Sequence, residues 1–82
     1  MTNHLKQIDM IQAISLSQQA REIADLSRTL LDENRSFQIS QTAWDAGRVA
    51  RTLRYLSHRA LIAADAFSSA AKLGGVNVDP DS

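Results

Sequence analysis

The chain has 82 residues, and nine lysines and arginines balance nine aspartates and glutamates, so its formal charge is zero. It has no cysteine, which removes disulfides and thiolate metal sites. The neutral balance argues against coating nucleic acid by bulk charge, while leaving a local basic face open.

One domain is the sensible count at this length. A domain of this size buries only about 60% of its unfolded surface and needs extra stabilisation. His4 and His58 are far apart in sequence and make no helical metal pair, so oligomerisation is the compensation left open. No apolar run approaches the ~20 residues of a membrane span. The first residues, Met-Thr-Asn-His-Leu-Lys-Gln, lack a positive patch followed by an apolar stretch, so a signal peptide is not expected and cytoplasmic residence is.

Helix one is predicted from about residue 3 to about residue 33, capped by Thr2 or Asn3. At ~100° per residue, Leu5, Leu16, Ala20, Ile23, Ser27 and Leu30 share a face, flanked by Ala13, Ala24 and Leu31 on one side and Ile8 and Leu26 on the other. Arg21, Glu22, Asp25, Arg28 and Asp32 fall opposite. Asp9 lies within the apolar stripe, where a buried carboxylate would mark either function or the edge of a dimer. The link runs from Asn34, a left-handed helix stop, to Ile39. Ser40 reads as the next N-cap, with Ser36 as a rival, and Ile39 and Trp44 stand at hydrophobic-staple spacing.

Helix two is predicted from about residue 40 to about residue 73. Its seam, Ala46, Val49, Leu53, Leu56, Ala60, Ala63, Phe67 and Ala70, alternates steps of three and four in the manner of a coiled coil. Half of these positions are alanine, which permits close approach. Gly74-Gly75 ends the helix, and residues 76–82 read as a flexible tail. A short link makes the two helices antiparallel neighbours. The expected fold is therefore all-α, a two-helix hairpin over residues 1–75 that assembles into a helical bundle as a homodimer or higher oligomer.

Two surfaces are left over after such a hairpin forms. Met10, Ile11 and Ile14 lie opposite the main stripe of helix one, which makes this segment apolar nearly all round and its expected role an oligomer interface or a partner anchor. On the back of helix two, Trp44, Tyr55 and Ile62 align with Leu73, flanked by Arg48, Arg51, Arg59 and His58. Residues 48–59 hold four arginines and no acid. Arginine with aromatics suits a protein hot spot, and equally phosphate contact and base stacking. The plainer reading is that these arginines pair with Glu22, Asp25, Asp32 or Glu33 across a neighbour.

Catalytic patterns are missing. Ser57 and His58 are adjacent, so on a helix they point about 100° apart, and there is no phosphate loop or metal-ligand spacing. No cofactor is expected. The function expected from the residues is a non-enzymatic protein-protein interaction module, a small inhibitor, adaptor or regulator acting on a host protein complex, of the kind phages and mobile elements encode. The alternative is a helical bundle that binds nucleic acid or a phosphorylated nucleotide through the arginine and aromatic face.

Overall fold

The computed structural model describes residues 7–78. Within them the chain forms two helices, α1 (Met10–Ser40) and α2 (Ala43–Leu73), which pack against each other as a hairpin. Each has 31 residues and is therefore about 46 Å long.

α1 starts later than the periodicity suggests. Thr2, Asn3 and Leu5 lie outside the described residues, and residues 7–9 are not helical. Asp9 is the N-cap: its Oδ2 accepts hydrogen bonds from the N–H groups of Ile11 at 3.1 Å and Gln12 at 3.4 Å. Its carboxylate therefore satisfies orphan donors of the first turn and is exposed, not part of an apolar stripe.

The helix also runs through Asn34 to Ser40. Asn costs only a few tenths of a kcal/mol in a helix interior, and packing on both sides of it overrides that preference: Glu33, Ser36 and Phe37 are all partly buried. The left-handed stop is instead Gln41, at φ 54° and ψ 28°, whose N–H bonds to the Phe37 carbonyl at 2.7 Å.

Only Gln41 and Thr42 separate the helices. Thr42, not Ser40 or Ser36, is the N-cap of α2, its hydroxyl accepting from the Asp45 N–H at 3.2 Å. Ser40 closes α1 and still serves the cap: its hydroxyl accepts from the Thr42 N–H at 3.3 Å and donates to the Asp45 carboxylate. Moving the cap by two residues takes Ile39 and Trp44 out of staple register. They stand 82% and 73% exposed.

α2 ends as expected, at the glycine pair. Gly75, at φ 90°, occupies the left-handed position. Its N–H bonds to the Lys72 carbonyl and the Val76 N–H to the Ala71 carbonyl, at 3.0 and 2.9 Å. Those two bonds make a Schellman motif, so Val76 closes the helix end. Residues 79–82 of the expected tail lie outside the described residues.

The packed seam is rotated from the expected one. On α2, Val49, Leu56, Ala60, Ala63 and Ala70 are covered as predicted, but Thr52, Arg59 and Ala66 join them, while Ala46 is exposed and Leu53 and Phe67 stay 47% and 39% exposed. α1 shows the same rotation. Gln19, Leu26, Glu33 and Phe37 join Leu16, Ile23 and Leu30 in the covered set, and Ala20, Ala24 and Leu31 are exposed. Two polar contacts cross the seam in this rotation. Thr52 donates to the Glu33 carboxylate, and the Arg59 guanidinium meets Glu22 at 2.6 Å. Both bonds require the rotated face.

The contact is thin. Among the described residues only Leu16, Ala63 and Ala70 are buried. The radius of gyration is 17.4 Å, against about 12 Å for a compact chain of this length.

Candidate protein-interaction surface

The plane through both helix axes divides the hairpin into two broad sides. In a heptad frame, Glu22, Leu26 and Glu33 lie roughly 50–100° to one side of the α1 contact line. Arg48, Thr52, Tyr55, Arg59 and Ile62 lie similarly to the same side of the α2 line. The ion pairs confirm that these residues share one side. Arg59 Nη2 is 2.6 Å from Glu22 Oε2, and Arg48 Nε is 3.8 Å from Glu33 Oε2.

Of the sequence-predicted partner residues, Arg48, Tyr55, Arg59 and Ile62 lie on this side, while Trp44 and Arg51 stand about 150° round from the contact line, at its outer edge; the six are in two different states. Arg48 and Arg59 are tied down within the chain. Arg48 bridges Glu33 on α1 and Asp45 one turn earlier on its own helix, the latter at 3.4 Å. The acids meet these arginines within one chain, so no neighbour is needed to neutralise them. Trp44, Arg51, Tyr55 and Ile62 remain exposed.

Arg51 sits one heptad after Trp44 and places its guanidinium over the indole ring, 5.9 Å from the centroid. That cation–π contact holds two long side chains in one place at an exposed position. Farther along the helices, Glu22, Asp25, Leu26, Thr29 and Tyr55 line a shallow inter-helix groove of ≈ 280 Å³. Its two acids are paired, Glu22 with Arg59 and Asp25 with Arg28 at 2.8 Å.

The expected oligomer residues are also exposed, on the outward side of α1. Met10 and Ile14 line a groove of ≈ 360 Å³ together with Ala13, Ser17, Gln18 and Arg21. Ile11 lies roughly 100° around the helix from Met10 and does not line it. The remaining candidates are not brought together. Ser57 and His58 are both exposed on α2, and among the described residues no three His, Asp or Glu side chains cluster as a metal site. No helix among the described residues is long and apolar enough to cross a membrane.

The Arg51–Trp44 pair was not singled out from the sequence, although its seven-residue spacing is the signal that finds it. The groove acids were visible only as charges on the outer face of α1. Compared with family models, curated proteins and solved structures, the chain matches none.

Proposed function

We propose that this protein is a non-enzymatic protein-protein interaction module, a small inhibitor, adaptor or regulator that captures its partner on the aromatic side of the hairpin. The observation that carries this reading is Trp44. It is 73% exposed, yet it is held under the Arg51 guanidinium and followed along the helix by exposed Tyr55 and Ile62. Trp, Tyr and Arg dominate the binding energy of protein interfaces. A cation–π contact at an exposed position contributes about 0.5–1 kcal/mol, which biases the Trp44 side chain toward one orientation before docking.

A protein partner fits better than a polyphosphate chain. Two of the four arginines of residues 48–59 already face carboxylates of their own chain. The adjoining groove is walled by Glu22 and Asp25, each paired with an arginine of its own chain, Arg59 at 2.6 Å and Arg28 at 2.8 Å, so it offers phosphate no uncompensated cation.

The test is capture with the full chain from a native lysate, comparing wild type with Trp44→Ala/Tyr55→Ala. A discrete protein retained by the wild type and lost by the double variant at unchanged helicity supports the reading. Retention by both defeats it. If what is captured is nucleic acid, released steeply by salt and by Arg51→Glu, the module is a nucleic-acid binder instead.

A further inference from the structure

The opposite side of the hairpin is built from different residues. Ala20, Ala24 and Leu31 of α1, and Leu53, Ala64 and Phe67 of α2, lie roughly 50–100° to the other side of the contact lines. Since the helices are antiparallel, the same rotational sense puts all six on one side. Leu31 is 64% exposed, and Leu53 and Phe67 are the residues the rotated seam leaves out. No charged residue lies on either helix within this band. It runs across both helices, with bulky residues toward each end and alanines between.

We infer that a second copy of the chain docks on this side, closing two hairpins into a four-helix bundle through an isologous interface. The thin core argues for it. Among the described residues only Leu16, Ala63 and Ala70 are buried, and the chain has no cysteine for a disulfide. A domain this small then usually draws its missing stability from association.

Charge argues for the same occupant and the same side. In a two-fold interface a patch meets itself, so a charge near the axis meets its like. The uncharged side brings no such conflict, while the aromatic side would oppose Arg51 to Arg51 or stack ion-paired clusters. The Met10–Ile14 groove adjoins the uncharged side, since Met10, Ala13 and Ser17 fall in the same band, but its outer wall of Ile14, Gln18 and Arg21 lies on one helix and carries a charge, so it is the weaker self-interface. The uncharged dimer leaves the aromatic side free, so this inference stands independently of the partner reading.

Light scattering after size exclusion tests it on the full chain. Wild type is expected at twice 9.0 kDa, and Ala24→Lys/Ala64→Lys at the monomer mass. Both positions are exposed in the hairpin and lysine is a good helix former. Should that variant lose its helices with its partner, crosslinking keeps the question open to refutation, because the chain contains no cysteine. Under oxidation Ala24→Cys, on the uncharged side, is expected to form covalent dimers at least tenfold faster than Thr29→Cys on the aromatic side.

A wild-type monomer at high concentration overturns the inference, as does equal crosslinking from both sides. So does a dimer that survives the lysine pair but is dissolved by Ile11→Lys/Ile14→Lys, two exposed positions outside the band. Trp44→Ala/Tyr55→Ala should leave the mass doubled. If it gives monomers, the aromatic side is the self-interface.

Discussion

The two sides of the hairpin are made by the same two helices with different chemistry. One side is tied together by side chains that reach across the seam: Thr52 to Glu33, Arg59 to Glu22, Arg48 to Glu33. The other has alanines and three large apolar side chains, Leu31, Leu53 and Phe67, left exposed. The rotation that lets Thr52 and Arg59 reach across the seam is the one that leaves Leu53 outside it. The two sides are thus linked: where polar side chains bridge the helices, the apolar residues displaced from the seam become the other surface.

The largest expected effect falls on what both sides share. Among the described residues Leu16 is the one large buried side chain, and Leu16→Ala is expected to cost about 2–4 kcal/mol in thermal or denaturant unfolding, the range for large-to-small core changes. A cost well under 1 kcal/mol would mean that the seam is not the stabilising element and would dissolve the comparison.

Next comes the polar side. The Glu33 side chain is only 14% exposed, and Glu33→Ala removes the acceptor of Thr52 and a partner of Arg48. A loss of about 1–2 kcal/mol is expected, and much of it should vanish in a Thr52→Val background, as a double-mutant cycle reads out. The uncharged side supplies the contrast. Leu53→Ala is expected to lower the melting temperature more as protein concentration rises, since it weakens association. The effect of Glu33→Ala should be the same at all concentrations. Equal concentration dependence for both would erase the distinction between the sides.

Gly75 belongs to neither side and calibrates the scale. Its φ of 90° makes Gly75→Ala cost about 1 kcal/mol, a fall of roughly 4–8 °C in melting temperature for a domain of this size, independent of salt. The smallest effect is expected at Arg59. Its pair with Glu22 is partly solvated, with side-chain exposures of 29% and 58%. Arg59→Ala is expected to cost no more than about 1 kcal/mol, and less in high salt. A salt-independent loss would show that the stem of Arg59 packs in the seam and that its charge contributes little.

Much of this architecture was legible in the chain itself. The 3.6-residue apolar period, the absence of proline and glycine from the interior of α1, and the Gly74-Gly75 stop together determine two long helices. A short link between them determines their antiparallel pairing. The aromatics behind the seam were readable as an unspent surface, because Trp44, Tyr55 and Ile62 repeat on one face regardless of where the partner helix sits.

Tertiary structure alone decided the rest. The helix ends moved because caps compete locally: Asp9 and Thr42 each bond the N–H groups of their own first turn, and the packing of Glu33 and Phe37 carries α1 past Asn34. The choice of seam was open because each helix has an apolar band wider than one neighbour can cover. Periodicity ranks Leu53 and Phe67 above Thr52 and Arg59 on hydrophobicity. In the structure Thr52 and Arg59 instead face Glu33 and Glu22 across the helices, and periodicity along a single helix contains no information about what stands opposite it.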